Sequence, residues 1–294
     1  MDAYAEDAPQ DAEGHPVVGS VGHDVPVELV WAAGARSVRL RGHPAWDRTR
    51  SATYLGSGLD VATASLFAGI LHGAFGHLDA IVVSSDCDAS QRLYYVMREI
   101  RRVEPEIGLP PVYLTDMLHL PRESTARYNV RRLEQFRQML RTWFRVDPLD
   151  RLGEATALSA RIVSLQRQFV SVARSEVLRV TGEQALAVFG AAQRLEPRRY
   201  AELLAALLAV LPGMPALEAP RLFLTGSSHD RPDVYRQIEE AGWLISGEDH
   251  DQGQLALQRR FPEDTPATAE LLEVLARVYR DNGPTPQRAS IERR

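Results

Sequence analysis

Residues 78–84, LDAIVVS, decide the fold of this chain. The run is continuous, apolar and rich in β-branched residues, as in strands that are buried on both faces of a parallel sheet. An apolar helix is predicted before it, over 62–75, and an amphipathic helix after it, over 88–102. The segment therefore predicts an α/β fold, in which crossover helices join parallel strands.

The same alternation of helices and strands extends outward from this segment. Further strands are predicted over 37–40, 112–115, 221–225 and 243–246. Further helices are predicted over 26–34, 122–144, 232–241 and 266–280, together with a helical stretch over 151–211 that breaks near Thr181 and Glu196. No internal repeat is visible.

The length of 294 residues favours two domains, because single cores stop growing at about 250–300 residues. We expect a disordered leader over 1–16, an N-terminal α/β domain over 17–148, and a helical segment plus C-terminal α/β domain over 149–294. The expected architecture is two Rossmann-like (flavodoxin-like) parallel-sheet domains with a helical insert. The active-site cleft then lies between the domains.

Composition excludes several kinds of function. All 34 basic residues are arginine, so lysine Schiff bases, pyridoxal-phosphate chemistry and phosphate loops that end in Gly-Lys are ruled out. The formal net charge of −5 argues against a nucleic-acid partner. A single cysteine excludes an internal disulfide, and the acidic leader resembles neither a signal peptide nor a membrane span, so we expect a cytoplasmic protein.

Candidate binding residues follow the predicted strands, because parallel sheets bind ligands outside the carboxyl ends of their strands. Ser85 and Asp86 follow the strand at 78–84. The turn after 221–225 begins a helix, so its backbone amides are candidates to hold an anion, although ordinary helix capping explains such residues equally well. The candidates in this turn are Thr225, Gly226, Ser227, Ser228 and His229.

Several segments resemble, in order and spacing, one known family. PVELVWAAGARSVRLRG (26–42) is similar to the opening of the D-component family of 2-hydroxyacyl-CoA dehydratases and benzoyl-CoA reductases. LDAIVVSSDCDASQRLYYV (78–96) resembles the strand, cysteine-aspartate turn and helix of that family. PPVYLTDMLHLPRESTARYNVRRLEQF (110–136), RLFLTGSS (221–228) and AGWLISGEDHDQG (241–253) match later segments.

The resemblance implies two similar α/β domains that hold a 4Fe-4S cluster between them, and pairing with a related subunit. Each such subunit supplies three cysteines to its cluster. In this chain Cys87 occupies the second position, whereas Asp60 and Asp251 fall at the first and third. Because iron-sulfur clusters require soft thiolate ligands, we expect no stable 4Fe-4S cluster here.

Two interpretations of the remaining polar residues stay open. Cys87, Asp60 and Asp251, with His250 and His229 nearby, have the donor types that hold a mononuclear zinc or iron ion. Otherwise the aspartates line a solvated cleft. Cys87 is either a relic of the cluster site or a nucleophile activated at a helix start.

The function that follows is binding of an acyl-CoA or related small carboxylic acid in the interdomain cleft. If the protein is an enzyme, the resemblance implies a dehydratase-like lyase, with Cys87, Asp60, His250 and Asp251 as the candidate acid-base groups. The alternatives are a non-catalytic partner subunit for a cluster-bearing homologue, or a fold reused for biosynthesis. We expect a homodimer or a heterodimer with a related subunit, and no membrane partner.

Overall fold

The structure is a computed structural model that describes residues 14–43, 45–56, 58–174, 176–226, 229, 231–262 and 270–282. Its strands are β1 (Val17–Val21), β2 (Arg36–Arg39), β3 (Ala80–Ser84), β4 (Val112–Thr115), β5 (Arg221–Leu224) and β6 (Leu244–Glu248). Its α-helices are α1 (Val27–Ala32), α2 (Thr49–Leu55), α3 (Val61–Leu71), α4 (Asp88–Val103), α5 (Glu123–Phe144), α6 (Leu152–Ala173), α7 (Gly182–Ala191), α8 (Pro197–Val210), α9 (Asp233–Glu240) and α10 (Leu271–Asp281). Short 3₁₀ helices lie at Pro105–Ile107, Pro148–Asp150, Leu211–Gly213 and Gln254–Gln258.

Four strands within the described residues form a parallel sheet in the order β2-β1-β3-β4. Strand β1 pairs with β3 in the register Val18↔Ala80, and β3 pairs with β4 in the register Ile81↔Val112. Every residue of β3 is buried, as the apolar run predicts. The order is that of the first four strands of a flavodoxin-like sheet, so the predicted α/β class with parallel strands is confirmed.

The sheet has an apolar core on each face because successive strand residues point to opposite sides. Val18 and Val82 face a core formed with helices α1, α5, α6 and α10. Ile81 and Val83 face a core formed with α2, α3 and α4. Helix α10, although last in the chain, therefore packs against the same sheet as the first strands.

The helical stretch between the sheets forms a third core, in which α6 packs against α8. Both predicted breaks are confirmed as helix starts. Thr181 begins α7 in a capping box with Gln184, and the carboxylate of Glu196 accepts the backbone amides that begin α8.

Strands β5 and β6 form a separate parallel pair. Ile245 of β6 packs with Tyr235 of α9 and Leu186 of α7. Arg174, directly after α6, binds both carboxylate oxygens of Glu248 at 2.6 and 2.7 Å, and neither side chain is exposed. The division of the chain at 148/149, and a second Rossmann-like domain built on this pair, stay predictions.

The sequence did not predict two elements. Strand β1 and helix α2 are absent from the elements predicted in the sequence. The helix predicted over 62–75 ends at Leu71, because Gly73 just beyond it adopts a left-handed φ of +73°.

Two predictions fall wholly or partly outside the described residues. Residues 1–13 of the expected disordered leader are not described, and neither are residues 266–269 of the helix predicted over 266–280. Within the described residues, every helix is too short or too polar to cross a membrane.

Gly22 ends β1 with a left-handed φ of +86°, and a Cβ there would lie 2.1 Å from Ser84 Oγ. We expect Gly22→Ala to lower the free energy of unfolding by about 2 to 5 kcal/mol, since backbone strain and overpacking add. Gly56, with φ +72° and nothing within 4 Å of its added Cβ, is the matched control. Gly56→Ala should lower the free energy of unfolding, measured with urea, by only about 1 to 2 kcal/mol. Equal losses in the two variants would contradict the close contact at Gly22.

Candidate functional site

The candidate site lies where the chain leaves β1 and β3, the point at which the strand order of the sheet reverses. Asp86, after β3, accepts a hydrogen bond from the backbone amide of His23, after β1, at 2.5 Å. The hydroxyl of Ser85 donates to Asp116, after β4, at 2.7 Å. Ligands of doubly wound folds bind at such a switch point.

The turn after β6 reaches the same edge of the sheet. Arg39, the last residue of β2, forms an ion pair with Asp251 at 2.5 Å. Arg41 donates to the side chain of Gln252 at 2.8 Å. Asp251, which the resemblance predicts at the third cysteine position, therefore lies beside the ends of β1 and β2.

A cavity of about 130 Å³, here called the small cavity, lies between these strand ends and α6. Its polar wall includes His23, Arg39, Asp251 and Arg259. Its apolar wall is formed by Trp31, Val27, Ile162, Val163 and Phe189. The site thus combines one apolar side with a small number of converging polar groups, as small-molecule sites generally do.

Arg259 is a charged group of this cavity whose polar contacts are all long. One of its terminal nitrogens lies 3.5 Å from the carbonyl of His23, and the other lies 3.9 Å from the buried carboxylate of Glu28. Its Nε is buried and has no hydrogen-bond partner among the described residues. Glu28 already accepts hydrogen bonds from Ser159 at 2.7 Å and Tyr279 at 2.8 Å. Arg259 therefore keeps donors that a ligand can use.

His23 places an uncharged imidazole in the same cavity. Burial is the main cause that lowers its pKa to about 4, with the nearby charges of Arg259 and Arg39 acting in the same direction. The ring shares a hydrogen bond of 3.0 Å with the side chain of Asn282, directly after α10. At neutral pH the ring is neutral, which is the state that can accept a proton.

A second histidine, His119, forms hydrogen bonds both to α10 and to the loop that follows β1. His119 lies 2.7 Å from the carboxylate of Asp24 through one ring nitrogen and 2.9 Å from the carbonyl of Tyr279 through the other. Burial lowers its pKa, but these acceptors outweigh burial and raise the pKa above its ordinary value. Because both partners accept, the charged imidazolium satisfies both contacts at once.

Asp60 and Cys87 both lie at helix starts. Asp60 is exposed and accepts the backbone amide of Thr63 at 2.8 Å, so it caps α3. Cys87 is exposed and its sulfur lies 3.5 Å from the backbone amide of Ser90, so it caps α4. Neither residue lines the small cavity.

His250 and Asp251 are neighbours in the chain with different surroundings. His250 is buried, lies 2.6 Å from the hydroxyl of Tyr235, and has a pKa lowered mainly by burial. The ring of His229 lies 5.5 Å from the ring of His250. Asp251 instead faces Arg39 and the small cavity.

The turn after β5 is only partly described. Thr225 donates to the carboxylate of Asp249 at 2.9 Å, and Gly226 has a φ of +125°. Ser227 and Ser228 lie outside the described residues. An anion site in this turn stays a prediction.

The three residues predicted at the family cysteine positions do not fit an iron-sulfur cluster. The chain contains one thiol, and it is engaged in a helix cap, as is Asp60, while Asp251 is paired with Arg39. Among the described residues, no three histidines, cysteines or acidic residues come together as metal ligands. A mononuclear zinc or iron ion at Cys87, Asp60 and Asp251 gains no support from this geometry and stays a prediction.

His23 and Arg259 were not among the residues predicted from the sequence. His23 follows strand β1, which was not predicted. Candidate binding residues were sought only after predicted strands, so His23 was not among them. Recognising VVGSV as a strand would have found it. Arg259 lies just after a short 3₁₀ helix, and no local pattern marks it.

These features define a flavodoxin-like α/β protein with a ligand-sized cavity at the switch point of its sheet. The family model described as 2-hydroxyglutaryl-CoA dehydratase, D-component, matches residues 23–294, and the chain therefore belongs to that family. The resemblance noted in the sequence is thus confirmed. No curated protein matches the chain.

His23 should make stability depend on pH. Between its ordinary pKa of 6.5 and its folded pKa of about 4, the unfolded chain binds a proton that the folded protein does not. Stability is therefore complete above pH 6.5 and falls as the pH is lowered toward 4, by about 3 kcal/mol for a shift of this size. In urea unfolding, the stability of wild type relative to His23→Gln should fall by about this amount from pH 7 to 4. A difference that stays constant over this range would mean that His23 is not buried.

Proposed function

We propose that the protein binds a small carboxylic acid, free or as the acyl group of a CoA thioester, in the small cavity, and that it does so without a 4Fe-4S cluster. The observation that carries the proposal is the guanidinium of Arg259, which lines a cavity with an apolar wall and has only long contacts at its terminal nitrogens, 3.5 Å to the carbonyl of His23 and 3.9 Å to the carboxylate of Glu28. A donor without a close acceptor is costly when it is buried, and a carboxylate or carbonyl oxygen in the cavity would remove that cost.

The size of the small cavity supports a short acid. Its volume of about 130 Å³ is slightly below that of the engineered cavity of about 150 Å³ that accepts benzene. An acyl chain of roughly four or five carbons is therefore of the right size. Ile162, Val163 and Phe189 supply the apolar surface for such a chain.

The contacts of Arg259 support a ligand oxygen in the cavity. Asp251 already neutralises Arg39 at 2.5 Å. Arg259 lies 3.9 Å from Glu28, beyond hydrogen-bond distance, and Glu28 is already held by Ser159 and Tyr279. A carboxylate that meets Arg259 would form a charge-assisted hydrogen bond, which is about twice as strong as a neutral one.

Catalysis at this site, as a dehydratase-like lyase, would use proton transfer rather than electron transfer. His23 has a neutral imidazole on the cavity wall, and Asp251 has a carboxylate on the same wall. These two groups are near enough for the charge of Asp251 to act on the pKa of His23. Of the four predicted acid-base residues, Asp251 is the one that borders the cavity.

The open edge of β4 favours a second candidate role, as the partner subunit of a cluster-bearing homologue. Strand β4 is at the edge of the described sheet, and a groove beside it is lined by Tyr94, Tyr95 and Arg98 of α4 and by Arg132 of α5. Tyr95 is 58% exposed. Aromatic and arginine side chains are enriched at protein interfaces.

We expect butyrate to bind the purified protein in isothermal titration, and butyramide to bind at least about tenfold more weakly because it lacks the charge that Arg259 meets. Arg259→Gln should remove this preference. Since Arg259 also packs over Tyr279, a second variant, Ala192→Leu, narrows the cavity without touching the polar wall and should weaken both ligands.

The exposed Arg127 of α5 is the matched control, and Arg127→Gln should bind butyrate as wild type does. Butyryl-CoA in the same titration distinguishes a thioester from a free acid. Equal binding of butyrate by wild type and Ala192→Leu would overturn the proposed site. No binding of any of these compounds would leave the partner-subunit role.

Protein purified without air and without a chelator should contain far less than one iron and one sulfide per chain. The reason is that one thiol, already used as a helix cap, cannot supply the soft ligands of a cluster. The Cys87→Ser variant should have the same low iron and sulfide content as the wild type. About four iron and four sulfide per chain or per dimer would instead restore electron-transfer chemistry.

A further inference from the structure

A second and larger cavity lies at the other end of helix α1. It measures about 720 Å³ and is enclosed by the end of α1, the start of β2 and the starts of α6 and α8. Four arginines line it, Arg36, Arg151, Arg198 and Arg199, and we call it the arginine cavity. Cavities of about 300 to 1,000 Å³ are the size that holds drug-sized ligands.

The arginine cavity is positive although the protein is acidic. Its four arginines and two glutamates give a formal charge of +2, whereas the whole chain carries −5. Glu196 directs both carboxylate oxygens to the backbone amides of Arg198 and Arg199, at 3.0 and 2.7 Å. Glu154 lies 3.6 Å from Arg198. Both glutamates therefore face groups other than Arg36 and Arg151.

Arg36 and Arg151 are not neutralised by a carboxylate among the described residues. The guanidinium of Arg36 donates to the carbonyl of Arg194 at 2.5 Å, and its Nε is buried without a partner. Arg151 lies against the turn that precedes β2, because a Cβ on Gly34 would be 3.7 Å from its Nη1. Both residues line the arginine cavity, and guanidinium groups suit the oxygens of a phosphate, which accept paired hydrogen bonds.

The remaining wall of the arginine cavity is apolar. Leu158, Leu195 and Pro197 contribute aliphatic surface, and Trp31 contributes a flat indole. Inorganic phosphate alone would leave this surface and most of the volume unused. We infer that the arginine cavity is a second binding site, which takes an organic phosphate of about nucleotide size, with its phosphates on Arg36 and Arg151.

Adenosine diphosphate is the probe that tests this inference. In isothermal titration we expect it to bind with one site per chain, and adenosine and pyrophosphate each to bind at least about tenfold more weakly. Arg151→Gln should lower the affinity for adenosine diphosphate by about tenfold, since it removes one phosphate contact. Arg151 is exposed and makes no side-chain hydrogen bond in the described part of the chain, so this variant should keep its fold. The double variant Arg36→Gln/Arg151→Gln should have a still lower affinity for adenosine diphosphate than Arg151→Gln.

The control for net charge is Arg127→Gln/Arg131→Gln, which also removes two positive charges, but from the exposed face of α5. This control variant should bind adenosine diphosphate as the wild type does. Unchanged affinity in Arg151→Gln and in the double variant, or pyrophosphate binding as tightly as adenosine diphosphate, would overturn the inference. No binding of adenosine diphosphate at millimolar concentration would do the same. Butyrate binding should be unchanged in Arg151→Gln, so the two proposed sites can fail separately.

Discussion

The buried ion pair between Arg174 and Glu248 is the constraint on which the site depends. Both side chains are fully enclosed, and Arg174 also donates to the carbonyl of Ile245 at 2.9 Å. Burying two charges is unfavourable unless their geometry is good, and a bidentate pair with a further carbonyl contact meets that condition. The pair fixes the end of β6 to the helix α6 and thereby sets where the following residues, His250 and Asp251, must lie. It acts together with the direct contacts of Asp251 with Arg39 and of Gln252 with Arg41.

Around the small cavity, most of the charged side chains are paired with one another. Asp251 meets Arg39, Asp24 meets His119, and Glu28 meets Ser159 and Tyr279. Native proteins leave few buried polar atoms without partners. Arg259 differs from these pairs because its terminal nitrogens have only long contacts, of 3.5 and 3.9 Å, and because it lines a space with room for a ligand. Arg36 likewise lines the arginine cavity, and its guanidinium donates to a backbone carbonyl rather than to a carboxylate.

The sequence predicts the parts of this fold that carry strong local patterns. Strand β3 is an unbroken apolar run, and α4 and α5 are long amphipathic helices, so their positions follow from periodicity alone. Strand β1 is missed because Gly19 and Ser20 interrupt its valines, although both residues are buried at the centre of the sheet. The candidate site is harder still. Asp60 and Cys87 were chosen by resemblance, but the structure uses both as helix caps, whereas Arg259 reaches His23 across 236 positions of sequence. Contacts over such distances leave no trace in a local pattern.

The attachment of α10 also bears on how the protein is made. Asn282 reaches His23 across 259 positions, and Tyr279 touches both the loop after β1 and Glu28 of α1. Because a chain folds during synthesis from its beginning, the sheet and its first helices can form while α10 is still inside the ribosome. His23 then lacks its partner Asn282, and Glu28 lacks its partner Tyr279, until this helix is made. The contacts of α10 with His23 and Glu28, and its share of the core on one face of the sheet, therefore form late in synthesis.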